Sequence, residues 1–332
     1  MAIRTTVVGS YPIPRWLYGD TSKQTLRDAI AVVLQTQELA GIDLVADGEL
    51  NRFDPSHPET NGMIDYFVRQ LSGVQTDYSM SDMVAFQSDS GMAFRAAPAG
   101  VVREAIGAGT LNLPADYDFV KDLTDRPIKF TCTGPHMLSK TLTDRHYCSH
   151  EDLCMAVAEV LRCQLADVRA DVVQLDEANI TGHPEESTWA ATAINHVLDG
   201  IKTTRAVHLC FGNYGGQRIQ SGTWQGLLPY LNALHCDFVL LEIARMGYEA
   251  LDELQDLNPA IGLGLSVIDI KDNQVESPDL IASRIEHAAK KLGEDRIQFV
   301  NPDCGFWMLS RSVADRKMRA LVSGRDLYMG SN

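Results

Sequence analysis

The chain has 332 residues, 45% hydrophobic and 22% charged, close to the averages of soluble globular proteins, so disorder, collagen-like repeats and coiled coil do not describe it. Its 29 lysines and arginines against 44 acidic residues leave a net charge of −15, a surface that repels a phosphate backbone and argues against nucleic acid as a ligand. The length suits two ordinary domains or one large α/β barrel. No apolar stretch is long enough to cross a bilayer, and the start of the chain does not read as a signal peptide. The seven cysteines, an odd number, read as reduced thiols of a cytoplasmic protein.

Short, β-branched, apolar runs recur along the chain, separated by longer amphipathic stretches. In order they cover residues 5–10, 42–47, 128–133, 171–176, 205–211, 238–243, 261–270 and 297–301, which makes eight candidate buried strands of a parallel sheet. The spacing predicts a helix over 22–40, with Leu26, Ile30, Val33, Leu34 and Gln37 on one face and Gly41 as its stop. Further helices are expected over 150–170, opened by Ser149 and Asp152, and over 189–202, 248–254 and 278–292. Residues 73–100 break the alternation. There Val84 to Gln87 and Ala93 to Arg95 flank the turn-forming Ser88 to Gly91, which predicts a β-hairpin insertion after the second strand. With no linker rich in Pro, Gly or Ser, the pattern predicts one catalytic domain over 1–332, a (β/α)8 TIM barrel carrying that insertion. A doubly wound sheet is the alternative.

Active residues of such barrels collect at the C-terminal strand ends. Here those ends are polar: Ser10, Asp47 and Glu49, His136, Asp176 and Glu177, His208 and Cys210, Glu242, Lys271, and Cys304. His208 and Cys210 are two apart on one strand and therefore face the same side. Imidazole and thiolate suit zinc, and Glu242 and Cys304 lie on strands that would complete a four-coordinate set. The alternative is a packing role for His208 and Cys210 with Glu242 paired to Arg245. Glu49 and Asp176 are placed to meet a bound ammonium group, or to form structural ion pairs with groups such as Arg52. Asp47 and Glu177 read as loop caps or partners of basic residues. Gly9, Gly134 and Gly305 suit tight turns or close approach. His146, Cys148, His150 and Cys154 form a denser cluster, but it straddles a helix start and fits no usual zinc spacing. Cys154 and Cys163 read as core positions, His146 and His150 as solvated, and Cys132 and Cys236 as having no functional role.

At these positions the chain resembles the catalytic C-terminal barrel of the cobalamin-independent methionine synthase family. The matching pieces, in the family's order, are Thr5-Thr-Val-Val-Gly-Ser-Tyr-Pro, Asp47-Gly-Glu-Leu-Asn-Arg, Thr133-Gly-Pro, Gln174-Leu-Asp-Glu-Ala, His208-Leu-Cys, Leu241-Glu, Val267-Ile-Asp-Ile and Val300-Asn-Pro-Asp-Cys-Gly. The resemblance implies zinc on His208, Cys210, Glu242 and Cys304. It also implies homocysteine recognition by Ser10, Glu49 and Asp176, and a methyl transfer that forms methionine. It further implies a departure on the donor side. No tryptophan follows the Gly134-Pro135 pair up to Thr141, where the family uses one for folate, and Lys271 stands where the family's proton-donating histidine follows Asp-Ile. The length leaves no room for the family's second, N-terminal half. The chain is thus similar to the short, single-barrel methionine synthases, with a methyl-corrinoid, its carrier protein or another accessory protein as the expected methyl source and Lys271 as the candidate proton donor. Two rival activities stay open at this point: zinc-dependent alkyl transfer to another thiol such as coenzyme M, and a metal-free lyase like the uroporphyrinogen decarboxylases. A non-catalytic zinc- or corrinoid-binding partner is a third.

Overall fold

The computed structural model describes residues 2–57, 60–88, 95–213 and 217–330. Among them the strands are β1 (Arg4–Thr5), β2 (Ser72–Gln75), β3 (Gly100–Gly107), β4 (Lys129–Thr133), β5 (Leu142–Asp144), β6 (Val172–Asp176), β7 (Thr204–Leu209), β8 (Phe238–Leu241), β9 (Gly262–Ile268) and β10 (Ile297–Pro302). Seven of these form one sheet in the order β1-β10-β9-β8-β7-β6-β4, parallel throughout. They fall on seven of the eight apolar runs. Every residue of β4, β6, β8 and β9 is buried, which is why the runs lack alternation: both faces of a parallel sheet are covered.

The sheet curls. Thr6, just past β1, bridges Leu44, and Val45 bridges Ile128 at the start of β4, both in parallel. The run 42–47 therefore joins the sheet at both edges, but through two residues only. Its shortness has a cause in the preceding helix, Lys23–Ala40. Gln37, on the buried face of that helix, donates to the Ala46 carbonyl at 2.7 Å and accepts from the Ala46 amide at 3.0 Å. A side chain thus takes the place of the next rung of the ladder. Ser22 caps the helix by accepting from the Thr25 amide, and Gly41, at φ 89°, ends it in the left-handed region open to glycine.

Inside the curl, Leu44, Val172, Ala206, Phe238, Leu240 and Phe299 form an apolar plug, with the Phe238 and Phe299 rings 4.9 Å apart. The main core lies between sheet and helices. The expected helices form, Pro278–Leu292 with the expected ends and His150–Leu165, Ser187–Leu198 and Ala250–Glu253 with altered ones. No described helix is long and apolar enough to cross a membrane.

The insertion differs from the expected hairpin. Val84 to Gln87 belong to a helix, Met80–Gln87, because Ser79 and Asp82 cap its first turn reciprocally and Arg103 and Arg145 hold Asp82 at 2.8 and 2.9 Å. Residues 89–94, with the rest of the predicted turn and part of its second arm, lie outside the described residues. In this region β2 pairs antiparallel with β3, and β3 pairs parallel with β5.

Replacing Gln37 by leucine keeps the volume but leaves the Ala46 amide and carbonyl unpaired in the core, at about 1–3 kcal/mol per group. Gln37→Leu should lower the unfolding free energy by about 2–6 kcal/mol in urea titration. An unchanged midpoint would remove this side chain from the account of how residues 42–47 are held.

Candidate active site

The plug ends at one level, and beyond it the same inward rows turn polar. Val172 is followed at two-residue steps by Gln174 and Asp176, Ala206 by His208 and Cys210, Leu240 by Glu242, and Phe299 by Asn301. Above these residues opens a cavity of about 440 Å³, whose wall includes Ser10, Glu49, Asp176, His208, Cys210 and Cys304. Six residues chosen from the sequence thus share one cavity.

His208, Cys210 and Cys304 form a compact donor group. Their ligand atoms lie within 4.8 Å of one another, and all three side chains are buried. Nδ1 of His208 faces the Leu240 carbonyl at 3.2 Å, which assigns that nitrogen the proton and turns the Nε2 lone pair outward. That Nε2 is buried with no hydrogen-bond partner, a state that costs energy unless something binds it. The Cys304 thiol donates to Cys210 Sγ across 3.8 Å, and this hydrogen bond holds the Cys210 thiol well below its ordinary pKa. The same hydrogen bond raises the Cys304 thiol, so one imidazole lone pair stands beside one thiolate-prone sulfur and one thiol, a donor set of the kind zinc takes.

Glu242 is held beside this group but lies outside it. Its Oε1 takes the Lys271 ammonium at 2.6 Å and its Oε2 accepts the Phe211 amide at 2.9 Å. Arg245, the alternative partner, pairs instead with Asp269 at 3.1 Å. Asp303 fixes the loop that follows Glu242: its oxygens accept the amides of Ile243, Ala244 and Arg245 at 2.8–2.9 Å. Sequence reasoning passed over Asp303, although Asn-Pro-Asp-Cys places a buried acid next to a candidate ligand.

On the opposite wall, Glu49 has a φ of 59°, the one left-handed non-glycine residue among those described, a strained geometry that concentrates at functional positions. Asp47 accepts the Glu49 amide at 2.8 Å, Thr131 donates to Glu49 Oε1 at 2.8 Å, and Arg52 lies 3.5 Å from Oε2. Glu49 thus forms the expected ion pair with Arg52 while also lining the cavity. Asp176 accepts from Gln174 at 2.7 Å, and burial raises its pKa. Burial likewise pushes Asp47 up to about 6.

The three glycines fall against these groups. A Cβ on Gly9 would collide with the Glu49 carboxylate, one on Gly134 with Glu177, and one on Gly305 with the Ser10 hydroxyl. Glu177 caps the helix Pro135–Lys140 by accepting the His136 and Met137 amides at 2.8 and 2.9 Å, as a loop cap should.

Other expectations need revision. Cys163 is exposed beside Glu159, because it falls on the outer face of His150–Leu165, while Cys154 is buried as expected. His183, Glu185 and Glu186 are a second metal-competent trio, yet Glu186 is already engaged by His136 at 2.6 Å and Lys140 at 3.1 Å. Lys129, inside an otherwise apolar run, was missed. It is 1% exposed, its ammonium donates to the Val7 carbonyl, and the only sign of it in the sequence is a charge where a strand core is expected.

Residues 3–324 match the family model described as the cobalamin-independent synthase, catalytic domain. The chain is 29% identical to a methionine synthase of Sulfurisphaera tokodaii, over 96% of this chain and 90% of that protein. It is 28% identical to one of Thermococcus kodakarensis, over 97% and 92%. A solved B12-independent methionine synthase from Shewanella sp. W3-18-1, in complex with selenomethionine, shares the fold with a TM-score of 0.81 at 24% identity, over 99% of this chain and 98% of that one. The motifs, the match over nearly the whole chain and the shared fold agree, and the chain belongs to the family of cobalamin-independent methionine synthase catalytic domains.

Proposed function

We propose that this methyltransferase moves a methyl group to the thiol of L-homocysteine, forming methionine, and that its 332 residues act as one catalytic domain, a closed (β/α)8 barrel with residues 44–45 as second strand. The observation that carries the reading is the sharing of one cavity by a thiol-activating donor group, His208, Cys210 and Cys304, and an acidic pair, Glu49 and Asp176, suited to an α-ammonium. The unpartnered His208 Nε2 and the adjacent sulfurs fit zinc; Glu242, the proposed fourth ligand, would exchange the Lys271 ammonium or the Phe211 amide for the metal. When bound, zinc keeps a coordinated thiol deprotonated and nucleophilic at neutral pH.

The chain's own residues do the rest. Glu49 and Asp176 hold the substrate ammonium, Glu49 being fixed by Thr131 and Arg52. Ser10, whose hydroxyl packs on Gly305, positions the substrate partly through its backbone. Val8, Tyr11 and Met137 add apolar surface to the same cavity. The sulfur forms its bond to the methyl carbon as the donor departs with the electron pair of the bond that breaks. Where that donor leaves as a base, Lys271 supplies its proton.

The methyl source we favour is a methyl-corrinoid or a carrier protein rather than folate. Arg52 is the one arginine or lysine among the described residues lining the cavity, and it is committed to Glu49 and Thr131. That leaves no free cation for a sulfonate thiol such as coenzyme M or for the carboxylates of a porphyrinogen, which counts against both rival activities.

Purified protein should carry one equivalent of zinc by elemental analysis, and Cys304→Ala should lose it together with methionine formation, assayed with homocysteine against a panel of methyl donors with and without cell extract. Metal-free protein that still methylates homocysteine would sink the reading. Gly9→Ala forces the Glu49 carboxylate aside, so it should raise the KM for homocysteine at least tenfold while zinc content stays at wild-type level. An unaltered KM would detach Glu49 from substrate recognition.

A further inference from the structure

Of the candidate ligands at the strand ends, the protein gathers only three. His208, Cys210 and Cys304 bring their donor atoms within 4.8 Å of one another and line the cavity, whereas Glu242 stands outside both the group and the cavity wall. Its carboxylate is held aside by two contacts. The Lys271 ammonium takes Oε1 at 2.6 Å, and the Phe211 amide, next to Cys210, donates to Oε2 at 2.9 Å. Both side chains of the ion pair are out of water, at 1% and 0% exposure.

A circuit of contacts places the lysine. Its own amide donates to Asp269 Oδ1 at 2.8 Å, and Asp269 Oδ2 pairs at 3.1 Å with Arg245, which follows Glu242 on the next loop segment. The loops after β8 and β9 are thus tied together next to the ion pair. Glu242 is the one acceptor of the Lys271 ammonium among the described residues. Lys317, a buried lysine with a structural part, differs. It spreads its donors over the Asp269 and Gln274 carbonyls and the Glu276 carboxylate. Lys271 directs its charge at a single carboxylate beside the donor group.

A carboxylate has lone pairs for more than two partners, but a metal cation and an ammonium on the same carboxylate repel each other. Lys271 therefore opposes a bond between Glu242 and a metal. It also eases the breaking of that bond, because a buried carboxylate is costly only where no other cation or amide meets it. The berth for a released Glu242 is already built.

We infer that Lys271 is a positioning residue: with the Phe211 amide it gives Glu242 a resting place off the metal, loosens the carboxylate's hold there, and so keeps the fourth position open to the substrate thiol. The inference rests on the zinc and homocysteine reading and gives Lys271 a task before any methyl donor binds.

The test uses the full chain without methyl donor and reads two equilibria: zinc binding by chelator competition, and homocysteine binding to the zinc-loaded protein by calorimetry. Lys271→Met should tighten zinc at least tenfold and weaken homocysteine at least tenfold, opposite shifts that mere damage to the site does not give. Lys271→Arg, which keeps the cation, should hold both constants near their wild-type values. Lys271→Gln, which can still donate to Glu242 without a charge, should shift both constants in the same directions as the methionine variant and serves if that variant does not fold. Weaker zinc, an unchanged zinc constant, or tighter zinc with undiminished homocysteine binding would overturn the inference. Wild-type protein that takes no zinc, or that takes zinc but no homocysteine, would overturn the functional reading itself, a separate outcome.

Discussion

Everything at the site depends on the two-residue alternation of a parallel sheet curled on itself. Inward positions are apolar up to one level and polar beyond it, and the change occurs on each of β6, β7, β8 and β10. Phe238, Leu240 and Phe299 close the lower half against water. Gln174, Asp176, His208, Cys210 and Glu242 then stand on a dry floor. A one-residue slip of any strand would exchange its inward row for the row that packs on the helices, so register and site assembly are the same requirement.

That dry floor creates an electrostatic difficulty. An ionised carboxylate removed from water is costly unless amides or cations meet it. The answer recurs around the cavity: an acid at or near a strand end, backbone amides turned toward it, and a glycine close by. Glu177 takes two amides at a helix start with Gly134 beneath it, Asp303 takes three amides of the loop after Glu242, and Asp47 takes the amide of Glu49, whose carboxylate rests on Gly9. The glycine–acid groupings that stand out in the sequence thus have a physical reading. The acid needs amides, and the backbone or side chain that approaches it leaves no room for a Cβ.

This also explains what was legible beforehand. Buried parallel strands announce themselves as unbroken apolar runs, and seven of the eight runs are strands of the sheet. The run 42–47 contributes only two bridged residues because Gln37, a contact invisible to local pattern, takes over the next rung. His208, Cys210 and Cys304 were legible because alternation and strand ends alone bring them together. The pairing of Glu242 with Lys271 instead of Arg245 was not legible, since it depends on the course of the loop after β9. The insertion was misjudged where a capping box at Ser79 and Asp82 outweighed turn chemistry further along. Lys129 escaped notice because its partner, the Val7 carbonyl, lies far from it in the sequence.

The donor group is held by its own neighbours. The Leu240 carbonyl, two residues before Glu242, sets the His208 tautomer. The Phe211 amide, next to Cys210, grips Glu242. Asp303, next to Cys304, ties down the three residues that follow Glu242. Each of these strand ends therefore positions a side chain on another strand, mutual support of the kind by which proteins preorganise metal sites. None of these contacts involves the outer cavity, where Tyr18, Trp307 and Met308 are substantially exposed. On the proposed reading, the floor that activates the thiol can accordingly stay unchanged while the outer surface varies, so that thiol chemistry and choice of methyl donor are separable.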